Sequence, residues 1–233
     1  VKLPGRPRIS YCEVKLQDVT RIVEETLVGG RVIVDKLLGV YSHENAPDWG
    51  ALPLVSEISF FRKQKKVNLE NCGVIDPESI DQYLARGGYA GLSRVLQTRS
   101  SQETIDDVLA SGLRGRGGGG FPTGKKWQFA HDQNADKKYL ICNADEGDPG
   151  AFMDRALLEG DPHRVVEGMI IAAYAMGASY GYIYCRAEYP LAIRRLEKTL
   201  KEARDYGLLG ANILGSGFSF DMRIKKGAGA FVC

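Results

Sequence analysis

The sequence predicts an α/β fold: a mostly parallel sheet flanked by helices, preceded by a small β-α unit. Three observations support this. Apolar strand-like runs at 139–142, 180–184 and 218–225 alternate with amphipathic helical stretches at 162–176 and 190–206, the pattern of a parallel sheet with crossover helices. Pro, Asp and Gly punctuate the boundaries of those stretches. The chain has 233 residues, 44% apolar and 26% charged, so it can bury a core, and at this length folding removes about 70% of the unfolded surface from water.

Taken in order, Ile9, Tyr11 and Val14 read as a strand. A helix follows, with Asp18 as its cap, Val19, Ile22, Val23 and Leu27 as its apolar stripe and Gly29-Gly30 as its stop. This unit, residues 1–40, is too small to fold alone and reads as the tail of a preceding module. Residues 41–75 read as a linker and wrapping arm, with Pro47, Asp48, Trp49, Gly50 and Pro53 breaking regular structure. From Asp76 to the end, residues 76–233 form the main domain. Asp76-Pro77 opens a helix containing Ile80, Tyr83 and Leu84 and stopped at Gly87-Gly88. Further helices are expected at 92–97, at 101–110 and after Thr123. The buried-type strand Tyr139–Cys142 comes next, then a helix opened by Asp161-Pro162 and closed at Gly177. A strand at 180–184, a helix from Pro190 to about Tyr206 and a strand at 218–225 complete the domain.

Lys plus Arg exceed Asp plus Glu by two, so no global field draws the chain to nucleic acid or an anionic membrane. The local cluster from Phe60 to Lys66, with two aromatics and four bases, reads as a solvated basic face or a partner surface. The longest apolar run, 165–176, is short of the ~20 residues of a membrane span. With no signal peptide at the N-terminus and no initiator Met, a cytoplasmic piece of a longer protein is expected. The five cysteines lie more than forty positions apart, so no metal site is written in their spacing. Cys142 and Cys185 fall in apolar runs and read as small buried hydrophobes.

The chemistry is expected around the glycines, 28 in all, five of them between Gly115 and Gly120. The run satisfies G-x-G-x-x-G, but a helix rather than a strand precedes it, which argues against a standard dinucleotide turn. Gly119 to Lys125 fits G-x-x-x-x-G-K, but Lys126 stands where a Walker loop needs Ser or Thr, so a Walker NTPase is rejected. What remains is backbone without Cβ that can approach a flat or anionic ligand, with Arg116 and Lys126 as fixed positive charge and a helix N-terminus behind. A flexible linker would be Ser-rich; this run leads directly into Phe121-Pro122 and Trp127, which favours a phosphate and ring cradle. A second cluster, Asn143-Ala144-Asp145-Glu146-Gly147-Asp148-Pro149-Gly150, follows a buried strand, where an α/β sheet exposes its functional groups. Its amide and carboxylates suit the hydroxyls of a sugar-like chain, or else form an acidic turn.

Ser111 to Trp127, Tyr139 to Arg155 and the segments Asn212–Phe218 and Gly227–Cys233 resemble three motifs of one family. It is the NADH-binding flavoprotein (51 kDa type) subunit of respiratory complex I and of related NAD(P)-linked hydrogenases and formate dehydrogenases. The likeness spans about residues 60 to 233 and implies a Rossmann-like FMN- and NADH-binding domain. By that resemblance, Gly115, Arg116, Gly117 and Gly118 contact FMN and the nucleotide, with Asn143, Asp145 and Glu146 around the ribityl and isoalloxazine. Phe121 and Phe129 match positions that stack on the adenine of NADH, and Lys126 matches one near its ribose and phosphates. The implied reaction is hydride transfer between NAD(P)H and FMN with single-electron transfer to iron–sulfur clusters. No catalytic acid or base is required of the protein, and His43, His131 and His163 are scattered, His163 being read as structural.

Asp148 stands where many complex I members have Glu, and Phe231 replaces a frequent Tyr. The sequence stops at Cys233, ahead of the family's Gly-Glu-Glu segment, its ubiquitin-like domain and its four-cysteine [4Fe-4S] domain, so a fragment is expected. Residues 9 to 38 resemble the closing strand and helix of a thioredoxin-like [2Fe-2S] domain, which hydrogenase-type members carry fused. That fusion and Asp148 favour the hydrogenase-type branch. The implied partners are a thioredoxin-like [2Fe-2S] subunit and further iron–sulfur subunits of a complex, with NAD(H) or NADP(H) as substrate and at most a peripheral link to a membrane. Two other readings stay open: a nucleotide- or phosphate-binding module without redox chemistry, and a partner-docking scaffold.

Overall fold

The computed structural model describes residues 1–41 and 52–229, which divide into two compact units, Val1–Lys66 and Val67–Cys233. The arm around Pro47 to Gly50, His43, Phe231 and Cys233 lie outside the described residues.

In the first unit, strand β1 (Ile9–Tyr11) pairs antiparallel with β2 (Leu37–Val40), Ile9 opposite Val40 and Ser10 opposite Gly39. Between them, α1 (Asp18–Arg21) continues into a wider π-helical segment, Ile22–Val28, and ends at Gly29-Gly30. The apolar stripe predicts burial of Val19, Val23 and Leu27, but they are 45%, 41% and 47% exposed. The face turned inward carries Thr26 instead, whose hydroxyl lies 2.6 Å from that of Tyr11. Two short strands offer one narrow surface, and the tyrosine hydroxyl, which also accepts from the Ile33 amide, selects the polar residue to meet it. Val14, expected in the strand, lies outside it and is exposed. A short helix, α2 (Ser59–Arg62), follows, and Lys63, Lys65 and Lys66 beyond it are exposed.

The second unit holds a parallel sheet of β3 (Tyr139–Ala144), β4 (Tyr180–Arg186) and β5 (Asp221–Gly227) in that spatial order. Tyr139 sits beside Tyr180 and Tyr180 beside Asp221, so odd-numbered residues of β3 and β5 share a face with even-numbered residues of β4. One face carries Ala144, Ile183, Cys185 and Met222 and is buried. It is covered by α8 (Pro162–Met176), which joins β3 to β4, and α9 (Pro190–Asp205), which joins β4 to β5. Both helices begin with proline at the first position, and α8 ends on Gly177 at φ 72°, a left-handed stop natural to glycine. Tyr139, Ile141 and Tyr184 on the opposite face are exposed. Close strand packing requires Gly181, where a Cβ would come within 2.7 Å of the Phe220 ring. Burial pushes the thiols of Cys142 and Cys185 up to about 11, so both stay protonated at neutral pH.

Helices α3 (Ile80–Ala85), α4 (Ala90–Thr98), α5 (Ser101–Ala110) and α6 (Thr123–His131) form an outer layer, of which α4, α5 and α6 pack on α8. The first of them starts later than Asp76-Pro77 suggests. Ser79 is its cap, accepting from the Gln82 amide, while Asp76 accepts from Glu78 in a tight turn. A further helix, α7 (Met153–Gly160), lies between β3 and α8, where the sequence predicts none.

The outer layer is tied to α8 by buried polar groups. Glu167 accepts from the Tyr83 hydroxyl at 2.6 Å and from the amides of Tyr89 at 2.8 Å and Leu92 at 3.1 Å, capping α4 from a distant helix. His163 lies between the Tyr89 hydroxyl at 3.0 Å and Glu202 at 3.2 Å. Burial holds its imidazole below the usual pKa, with Glu202 pulling partly the other way. An unfolded histidine takes up a proton near pH ~6.5 that the folded one resists, so stability is full above that pH and falls as pH drops below it. We expect the urea midpoint to be lower at pH 5.5 than at pH 7.5, by a margin that shrinks in His163→Gln. An equal margin in both proteins would contradict the assignment.

Candidate functional site

The glycine run forms a loop closed at its base by backbone hydrogen bonds. The Gly115 amide donates to the Phe121 carbonyl at 2.9 Å and the Thr123 amide to Leu113 at 2.9 Å, while the Arg114 guanidinium reaches the Gly120 carbonyl. Beyond that stem the backbone is bare. A Cβ added at Gly117, Gly118, Gly119 or Gly120 would meet nothing within 4 Å, and Gly118 (φ 101°) and Gly120 (φ 59°) hold conformations that L side chains rarely adopt. The glycine of Gly124-Lys125-Lys126 has a different purpose. A Cβ there would lie 2.7 Å from the Leu109 amide nitrogen, so Gly124 lets α6 approach the end of α5.

Arg116, Gly117 and Gly118 line one wall of a cavity of about 1130 Å³ at the carboxyl end of β3. Asn143 near the end of that strand and Asp145, Glu146 and Asp148 in the turn after it line the same cavity. Six sequence-predicted residues therefore meet across one space: Arg116, Gly117, Gly118, Asn143, Asp145 and Glu146. The other four do not line it. Gly115 belongs to the loop stem. Phe121 and Phe129 form a separate exposed pair with ring centroids 6.3 Å apart, and the ammonium near the Phe129 ring is that of Lys125, at 5.8 Å. Lys126 is exposed on α6.

Several further residues, which carry no motif in the sequence, line the cavity. Ile141, Asn143 and the register partner of Asn143, Tyr184, present one face of the sheet to the cavity, while Phe152 and Met153 line it at the start of α7. Strand parity was the available signal: fixing Asn143 outward also turns Ile141 outward and brings Tyr184 beside it.

The acidic turn is internally ordered. The Asp145 amide donates to the Asn143 side chain at 3.2 Å. Glu146 accepts from the amides of Asp154 at 3.0 Å and Arg155 at 3.1 Å and from the Tyr189 hydroxyl at 3.1 Å. Burial opposes its ionisation, but these donors prevail and hold its carboxyl below the usual carboxylate range. Glu146 is thus the cap of α7, supplied from outside the helix. Burial, and Glu146 beside it, push the Asp154 carboxyl up.

The space suits a large planar ligand with an anionic end. Its volume is at or above the upper end of common ligand sites, about 300–1,000 Å³. A side-chain-free loop bearing Arg116 lines it together with amide and carboxylate groups.

Residues 108–233 match the Nuo51 FMN-binding domain family. Over 172 residues the chain is 63% identical to the NADP-reducing hydrogenase subunit HndC of Solidesulfovibrio fructosivorans, covering 74% of this chain and 35% of that one. Over 155 residues it is 54% identical to an NADH-quinone oxidoreductase subunit of Aquifex aeolicus, covering 66% of this chain and 36% of that one. Among solved structures, an air-oxidised NAD+-reducing [NiFe]-hydrogenase superposes with a TM-score of 0.54 at 26% identity, over 97% of this chain and 33% of that one. The chain spans about a third of the length of these relatives. The family match, the cavity and the bare loop agree: this chain belongs to the Nuo51 FMN-binding domain family.

Proposed function

We propose that the chain is the cofactor-binding part of an NAD(P)H:acceptor oxidoreductase in which a hydride passes between NAD(P)H and FMN and electrons leave singly to iron–sulfur clusters. The observation that carries this reading is the meeting of Gly117-Gly118 with Asn143 and Asp145 across one cavity. When bound, FMN supplies the exchange between two-electron and one-electron chemistry. The chain's own residues bind and orient. The amides of Gly117 and Gly118, with Arg116, suit a phosphate, and Asn143 and Asp145 suit the hydroxyls of a ribityl arm. Gly115 anchors the loop. The exposed rings of Phe121 and Phe129 offer a platform for adenine, and Lys126, on α6 with Phe129, offers a charge for the nucleotide's phosphates.

The named relatives are subunits of hydrogenases and of NADH-quinone oxidoreductases, which supports a place in a multisubunit complex. Within it we assign a thioredoxin-like [2Fe-2S] subunit and further iron–sulfur subunits as partners, and residues 1–40 as the remnant of a thioredoxin-like domain. A [4Fe-4S] cluster belongs to a further part of such a protein. No helix among the described residues is long and apolar enough to cross a membrane, and we assign the complex to the cytoplasm. The holoenzyme carrying this chain is expected to purify yellow and to reduce ferricyanide with NADH or NADPH. A colourless protein that binds ATP and takes up no flavin would overturn the reading in favour of a plain nucleotide-binding module.

A further inference from the structure

This inference rests on the cofactor reading above and concerns a residue that does not line the cavity. The acidic wall is a turn whose outer part, Asp148 to Gly150, is exposed, so its position depends on ties made elsewhere. Those ties converge on Tyr189, the residue preceding α9, whose ring is buried. Its hydroxyl lies 3.1 Å from Glu146 Oε2 and 3.1 Å from the Ala151 carbonyl oxygen, spanning the turn. Arg186, the last residue of β4, donates from Nη1 to the Glu146 main-chain carbonyl. The guanidinium groups of Arg155 and Arg186 lie 5.3 and 5.1 Å from the centre of the Tyr189 ring. From the other side, the first turn of α7 grips the same Glu146 carboxylate.

The carboxylate that the cavity exposes is therefore fixed by a phenol belonging to the next crossover. We propose that Tyr189 is a positioning residue for cofactor binding: through Glu146 and Ala151 it sets the place of the acidic turn opposite the glycine loop. The ring supplies packing, which phenylalanine retains, and the oxygen supplies the registration, which phenylalanine lacks.

Tyr189→Phe in the holoenzyme separates the two roles. We expect the FMN dissociation constant, read by flavin fluorescence titration of the apoprotein, to rise about tenfold, the loss of one hydrogen bond to a charged acceptor. At saturating FMN, the visible circular dichroism of the bound flavin should also change, because the groups facing it have moved. The melting temperature of the apoprotein should fall by no more than about 4 °C. A purely structural tyrosine would lower the melting temperature and leave the titration and the dichroism unmoved, and that result overturns the proposal. Should Tyr189→Phe fail to fold, Arg186→Lys, which keeps the charge but loses the Nη1 donor that reaches the Glu146 carbonyl, should weaken FMN binding several-fold. Unaltered binding there overturns the proposal equally. A wild-type protein that takes up no FMN removes the cofactor reading and this proposal together, whereas wild-type binding with an unmoved Tyr189→Phe removes this proposal alone.

Discussion

Gly118→Val is expected to weaken FMN binding by at least about 100-fold, more than 2.7 kcal/mol, while leaving the fold nearly untouched. Two effects act together. The residue sits at φ 101°, where a β-branched side chain is strained by about 1–3 kcal/mol, so the loop would abandon its present course. Whatever course replaces it, three added carbons stand in space that is now empty and faces the cavity. The loop is exposed and its stem bonds belong to Gly115, Phe121, Leu113 and Thr123, so thermal stability should change by no more than a few degrees. Fluorescence titration with FMN beside a melting curve checks both halves. Wild-type affinity in Gly118→Val would mean that the flavin does not lie against this loop.

Glu167→Leu is expected to have the largest effect on stability, about 3 kcal/mol or more by urea unfolding at neutral pH. Leucine fills much of the volume but leaves the Tyr83 hydroxyl and the Tyr89 and Leu92 amides without an acceptor in a buried place. The two amides sit at the positive end of α4, so the helix also loses its compensating charge. Glu167→Gln keeps an acceptor oxygen and should lose about half as much. A Glu167→Leu protein as stable as the parent would show that α4 finds another cap.

The sequence made legible what is determined locally. Pro162 and Pro190 open helices and Gly177 closes one because a fixed φ, a missing amide or a left-handed residue needs no distant partner. The place of the acidic turn was also legible, since a parallel sheet presents at its carboxyl end the loops that follow its strands, whereas the glycine loop follows α5 and reaches the same cavity only through the folded chain. What depends on partners far along the chain was not. The helix Met153–Gly160 lacks a cap of its own because Glu146 provides one from seven residues upstream. The same commitment explains why Glu146, read as a ligand-facing carboxylate, has its oxygens engaged by backbone amides and a phenol. The stripe Val19, Val23 and Leu27 shows a complementary limit. Periodicity reveals that a helix has an apolar side, but whether anything covers that side depends on other residues.

The tight clearance at Gly124 reaches beyond its own helix. One methyl group there must push α6 off the end of α5, and the loop stem, joined to α6 at Thr123, travels with it. A lesion buried between two helices would thus register as a lost affinity in a titration, although the altered atom never comes near the bound molecule.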